Sequence, residues 1–235
     1  YIERRRMNGT LDRLAFLRYK QEKAQGKAPN TRIRYQKIIE KRDVAAILAL
    51  NLSRSANLPL VGTTPAAAMQ RLMIYFSEAS QQLGDKVGLY GFSGIGKDNV
   101  IVYTFKDIEE PFSEEVYYRM AFVMGHDHNR NGAVYRHLTH RLNQIKAEKK
   151  LFLEVCPTFI PSDLKYDGKS ALEDSTHAIN GMKLQEITPL CICLSQDETS
   201  RQNLIKVFGE GHYLLTTPKD VFRDLATAYV QLTGE

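Results

Sequence analysis

The sequence predicts an α/β fold: a doubly wound, mostly parallel central sheet with one antiparallel edge strand and helices on both faces. Three observations carry this. Strand-like and helix-like segments alternate from Asp43 to the end, the order that builds a parallel sheet with helical crossovers. The run "VAAILALNLS" (44–53) is apolar almost without a break, as a strand covered on both faces must be. Finally, "KVGLYGF" (86–92) and "NVIVYTF" (99–105) are β-rich runs separated by a short Gly-containing turn, which marks a hairpin.

The elements follow in order. In "GTLDRLAFLRYKQEKAQGK" (9–27), Leu11, Leu14, Ala15, Leu17 and Ala24 recur at helical spacing. "GKAPNTRIRYQKIIEKR" (26–42) reads as a link, since Pro29 and Asn30 break that pattern. Residues 1–42 therefore form a basic helical lead-in arm, and 43–235 the α/β domain. After the first strand, "TPAAAMQRLMIYFSEASQQLG" (64–84) is a helix with Thr64 as N-cap, Pro65 first and Gly84 closing it. The hairpin comes next, and then "SEEVYYRMAFV" (113–123), a short helix with acidic residues in its first turn. On it, one of Tyr117 and Tyr118 is expected in the core and the other at the surface. "GAVYRHLTHRLNQIKAEKK" (132–150) reads as a long helix ending in lysines, as its dipole favours. "LFLEVC" (151–156) is a strand. "SALEDSTHAINGMKLQE" (170–186) is a helix whose Ser170 and Glu173 have capping-box spacing, with Asp174 also serving its N-terminus. "TPLCICLS", "TSRQNLIKVFG", "HYLLTT" and "PKDVFRDLATAYVQLTG" complete the chain as strand, helix, strand, helix.

Bulk properties narrow the function. At 43% hydrophobic and 25% charged residues, the chain has the balance of a soluble globular protein. No apolar run approaches the ~20 residues that cross a bilayer, and no signal-peptide pattern opens the chain. It starts at Tyr1 rather than Met, as a piece of something longer would. Cys156, Cys191 and Cys193 lie in apolar runs with no Cys-x-x-Cys pair, so they read as buried thiols of a cytoplasmic protein. The net charge of +5 is uneven, because residues 1–42 carry 13 Lys/Arg against 4 Asp/Glu. Such an arm fits a solvated basic face, or a surface for an acidic protein partner, better than single-stranded nucleic acid, since it lacks interleaved aromatics.

One motif invites a nucleotide-binding reading. In "YGFSGIGKDN" (90–99), Gly91, Gly96 and Lys97 match part of a phosphate-cradling loop. That loop needs a Ser or Thr after the lysine and a helix behind it. Here Asp98 follows, and then a strand. The segment is a hairpin turn.

In a doubly wound sheet, ligands meet the loops at the carboxyl ends of the strands. These are "NLSRSAN" (51–57), "MGHDHNRNG" (124–132) and "CPTFIPSD" (156–163). Ser53 and Ser55 have no His/Asp pair near them in sequence and no G-x-S-x-G elbow, which argues against nucleophilic catalysis. His126, Asp127 and His128 could offer nitrogen and oxygen to a transition ion. Adjacent residues seldom converge on one ion, and a solvated loop is the simpler reading. Glu109 and Glu110 read as solvated loop charges.

The loop "ALNLSRSAN" resembles the D-x-S-x-S strand end of von Willebrand factor A (VWA) domains. The wider segments "KRDVAAILALNLSRSAN", "VGLYGFSGIGKDNVIVYTFKDIEEP", "NGAVYRHLTHRL" and "KSALEDSTHAI" resemble the C-terminal VWA domain of the NorD/CbbO family. The resemblance implies an adaptor that works with a MoxR-type AAA+ ATPase (CbbQ/NorQ-like) on a client enzyme, nitric oxide reductase or Rubisco, and not an enzyme itself. It also implies a metal-ion-dependent adhesion site. Its positions fall on Asn51, Ser53, Ser55, Asn129 and Thr158, where both family carboxylates are replaced. Mg²⁺ prefers octahedral oxygen and one or two carboxylates, so no cofactor is expected unless this degenerate site retains the ion. Asp163 could substitute only if its loop folds back. The alternatives are nucleic-acid binding through the arm, which is not expected, and a metal-dependent hydrolase using His126–His128.

Overall fold

The computed structural model describes residues 2–37, 42–60, 62–161, 163, 166 and 168–234. The chain divides into two compact units, residues 1–42 and 43–235.

The first unit differs from a purely helical arm. Strands β1 (Ile2–Arg6), β2 (Thr10–Leu11) and β3 (Arg34–Lys37) form an antiparallel sheet in the order β1-β3-β2. Helix α1 (Arg13–Ala24) is present, and Asp12 caps it by accepting from Leu14 N and Ala15 N. The strand over 34–37 replaces the expected link. Its pairing joins residues more than twenty positions apart, which local spacing does not reveal. Helix α1 buries no side chain, so its Leu14 and Leu17 lie exposed.

The second unit carries the predicted sheet. Its strands are β4 (Val44–Asn51), β5 (Lys86–Gly94), β6 (Val100–Lys106), β7 (Lys149–Cys156), β8 (Ile187–Cys193) and β9 (Tyr213–Leu215). They lie in the order β6-β5-β4-β7-β8-β9, and only β6 runs antiparallel to its neighbour. Every residue of β4 is buried. Its side chains alternate between two cores, as the pleat requires. Ala46, Leu48 and Leu50 meet Met69, Leu72 and Phe76 of α2 (Pro65–Leu83) and Leu225 of α7 (Val221–Thr233). Ala45, Ile47 and Ala49 join the opposite core, which holds Leu138 of α4 (Asn131–Asn143), Ile179 of α5 (Gly168–Lys183) and Phe208 of α6 (Glu198–Phe208). Each large side chain so buried contributes about 1.5–3 kcal/mol.

Helix α2 has the predicted ends: Thr64 Oγ1 accepts from Ala67 N, Pro65 is first, and Gly84 closes it at φ 76°. The Gly-rich segment is the β5–β6 turn, with Ile95 N donating to Asn99 O and Gly96 at φ 74°. The next element is a strand, as a P-loop would not allow.

Three expectations change. Helix α4 stops at Asn143, and Lys149 and Lys150 open β7 opposite Val44 and Ala45. The Lys149 ammonium serves another helix end, donating to Thr233 O of α7. Ser170 lies inside α5, which begins at Gly168, so it is not an N-cap. On α3 (Glu114–Met120), both Tyr117 and Tyr118 are exposed, and Val116 and Met120 fill the core instead.

Candidate functional site

Strands β4 and β7 are neighbours at the middle of the sheet, and both point their carboxyl ends to the same edge. The loop that leaves β4 and the end of β5 are laced by main-chain bonds to the segment before α4. Arg54 N donates to Asp127 O (2.9 Å), His126 N to Leu52 O (2.8 Å), and Gly94 and His128 exchange a reciprocal pair. Asn57 completes the lacing, donating from Nδ2 to Gly125 O and accepting from Gly125 N. Gly125 must be a glycine, because a Cβ there would come within 2.6 Å of Ser53 O. Backbone groups held at both ends in this way make a rim with little freedom to reorganise.

At its centre lies a depression of about 200 Å³ lined by Ser53, Arg54, Ser55, Asp127, His128, Asn129, Thr158 and Ile160. Four of the five expected rim residues, Ser53, Ser55, Asn129 and Thr158, come together here. The Ser53 and Ser55 hydroxyls share a hydrogen bond of 2.9 Å. Asn51 does not line the depression. It sits beneath, fully buried, with Oδ1 accepting from Ser53 N (3.2 Å).

The acidic groups are placed differently from expectation. Asp163 does not reach the depression: its side chain is buried, paired with Arg130 at 2.9 Å, and accepts from Gly96 N. It ties the β5–β6 turn to the loop before α4, and the Arg130 guanidinium packs on the Tyr166 ring. One carboxylate does border the depression, that of Asp127, which lies 3.8 Å from the guanidinium of Arg54. Of the two histidines beside it, His126 stacks on Tyr103 with ring centroids 5.3 Å apart. Among the described residues, no three ligating atoms of the 126–128 loop gather within 4.8 Å of one another. Glu110 is no solvated charge, because Arg119 binds it at 2.5 Å and holds its carboxyl below the usual range. Asp174 serves Arg136 and the Tyr166 hydroxyl rather than a helix end.

Sequence reasoning missed Glu154. It lies on β7, fully buried, and accepts from Asn51 Nδ2 (3.4 Å) and from the Tyr135 hydroxyl. Asn131 Nδ2 in turn donates to Tyr135 OH at 2.9 Å. A chain of polar groups therefore runs beneath the rim, from Asn131 through Tyr135 and Glu154 to Asn51 and Ser53 N. Burial pushes the Glu154 carboxyl up to about 7, against the two hydrogen bonds that favour its charge. The signal was present in the sequence: one acid inside the apolar run "LFLEVC" needs partners of its own.

Comparison with known proteins bears on the fold as a whole. No family model matches. Protein NorD of Stutzerimonas stutzeri is 27% identical over 218 residues, covering 92% of this chain and 35% of NorD. Among solved structures, the pilus adhesin SpaC of Lactobacillus rhamnosus GG superposes with a TM-score of 0.62 at 15% identity, over 82% of this chain and 30% of its own. The vWF domain of the type V pili tip protein Mfa5 from Porphyromonas gingivalis gives 0.57 at 8% identity, over 83% of this chain and 97% of its own. The chain spans about a third of the length of its NorD relative. No helix among the described residues is long and apolar enough to cross a membrane. With its six-stranded sheet and its laced rim after β4, the chain has the fold of a von Willebrand factor A domain, and over nearly its whole length it is similar to NorD.

Proposed function

We propose that this domain is the recognition module of a cytoplasmic, non-catalytic adaptor. It works with a MoxR-type AAA+ ATPase on a client enzyme, nitric oxide reductase in the NorD-like reading. The ATPase supplies force and the domain supplies the choice of target. The observation that carries the reading is the similarity to NorD across 92% of the chain, joined to a pre-ordered polar rim at the edge where such sheets meet their ligands.

The contact at that rim is made by neutral groups. The Ser53 and Ser55 hydroxyls, the Asn129 amide and Thr158 offer donors and acceptors around one depression. The donor set does not suit Mg²⁺, which favours carboxylate oxygens in octahedral array. Asn51 Oδ1 is taken by Ser53 N, Glu154 lies below the rim, and Asp163 is committed to Arg130. Among the described residues, Asp127 is the carboxylate that remains at the edge, beside Arg54.

The test combines Ser53→Ala and Ser55→Ala and measures affinity for the partner ATPase, identified by pull-down from the native host. The double variant should bind at least about tenfold more weakly, as loss of two hydrogen bonds of roughly 1 kcal/mol each predicts. EDTA should leave wild-type binding unchanged. An equal loss with EDTA that added Mg(II) restores, and that Cys156→Ala with Cys191→Ala does not reproduce, would show that a metal bridges the contact.

A further inference from the structure

The three cysteines play no part in the rim, yet two of them meet its buried acid. In the parallel pairing of β7 with β8, Glu154 lies opposite Cys191 and Cys156 opposite Cys193. Alternate residues share a face, so all four side chains point into the core beneath α4, α5 and α6. The Cys156 and Cys191 sulfurs are 3.7 Å apart. With a Glu154 carboxylate oxygen, they form a buried triangle in which no two ligand atoms are more than 4.8 Å apart.

We propose that Cys156, Cys191 and Glu154 form a structural zinc site. The sulfur spacing is the first argument. Two thiolates bound at ~2.3 Å to a tetrahedral centre are separated by roughly 3.8 Å, so the pair already spans one edge of a zinc tetrahedron. A linear two-thiolate ion would hold the sulfurs further apart. The second argument is the support around the carboxylate. The Tyr135 hydroxyl and Asn51 Nδ2 both donate to Glu154, and Asn131 orients Tyr135. Outer groups of this kind fix a ligating oxygen and tune its basicity. The third is charge: the buried acid and two thiols have no cation among them, and a dication offsets two of the negative charges that its binding creates.

Cys193 takes the fourth position by a rotamer change. Its sulfur now lies 3.9 Å from Pro157 O, across from Cys156. On binding, each ligating thiol exchanges its S–H bond for S–Zn and releases its proton to solvent. No electron moves. The site clamps β7 to β8 directly below the loop that begins at Pro157, so the metal should raise thermal stability as any native-state ligand does.

The experiment loads the full chain with Zn(II), dialyses it against metal-free buffer and measures zinc by elemental analysis. In parallel, Co(II) is substituted and its absorption recorded. Wild type should retain about one zinc per chain. Its Co(II) form should show sulfur-to-cobalt charge transfer with the intense visible bands of tetrahedral geometry. Cys156→Ala with Cys191→Ala should lose both signals while keeping the wild-type circular dichroism. Glu154→Gln should keep the charge-transfer band and bind at least about tenfold more weakly. Wild type retaining less than a tenth of an equivalent would overturn the site, as would zinc persisting in the folded double variant. If that variant does not fold, the wild-type cobalt spectrum decides, and absence of the charge-transfer band sinks the proposal.

Discussion

Strands β4 and β7 lie side by side in the same sheet, run in the same direction and are covered by the same two helical layers, yet they solve burial differently. β4 buries Val-Ala-Ala-Ile-Leu-Ala-Leu before it reaches a polar residue, Asn51, at its last position. β7 inserts an acid two residues before its end. The first strand needs only packing partners. The second needs donors placed by other elements, and it gets them from α4 through Tyr135 and from β4 through Asn51. The difference teaches that this sheet has a purely apolar middle and a polar floor under its rim. The floor is where the domain holds the fully buried carboxylate of Glu154.

The comparison can be broken at four points, in falling order of effect. Leu48→Ala on β4 removes a side chain with no solvent exposure. Chemical denaturation should show a loss of about 2–5 kcal/mol with an unchanged m-value.

Glu154 sets the second. Its carboxyl is raised from 4.5 to about 7 in the folded state, so the native protein holds this proton more tightly than the unfolded chain. The contribution is therefore greatest below pH ~4.5, is lost as pH rises through ~7, and is constant above. The upper bound is about 3 kcal/mol. Denaturation midpoints of the metal-free chain across this window should fall with rising pH. Glu154→Gln should flatten that part of the profile, and an unaltered slope would place the titrating group elsewhere.

The third concerns a helix that leans on the apolar core. Thr64→Ala removes the α2 cap acceptor and should cost about 1 kcal/mol by the same denaturation measurement, with Thr64→Ser restoring most of it. The smallest effect belongs to the rim. Asp127→Asn breaks a pair with Arg54 at 3.8 Å in which the Arg54 side chain is 71% exposed. Screening makes such a pair worth less than about 1 kcal/mol, so stability should hardly move.

Legibility followed the range of the interaction. Thr64, Pro65 and Gly84 bracket α2 through contacts within a few residues, and the β5–β6 hairpin announces itself through its turn and flanking runs. The doubly wound class pointed to the loops at the carboxyl edge, and the resemblance to the VWA adhesion site named Ser53, Ser55, Asn129 and Thr158 within them, which the structure brings around one depression. The end of α4 was not legible. Nothing local stops a helix before Lys149, and what stops it is pairing with β4, about a hundred residues earlier. The destination of Asp163 was hidden for the same reason, since its partners, Arg130 and Gly96 N, come from two other loops.

By itself, then, the sequence determined the alternation of elements, the antiparallel hairpin at the sheet edge, the caps of α2 and the set of polar loops gathered at one edge. These follow from periodicity and turn chemistry, which act over a few residues. Only the tertiary structure decided that Asn51 drops beneath the rim, that Glu154 and two thiols share one buried pocket of chemistry, and that residues 34–37 pair as a strand. A buried polar group is stable only beside a partner, and the partner is chosen by packing between distant segments, which no local pattern encodes.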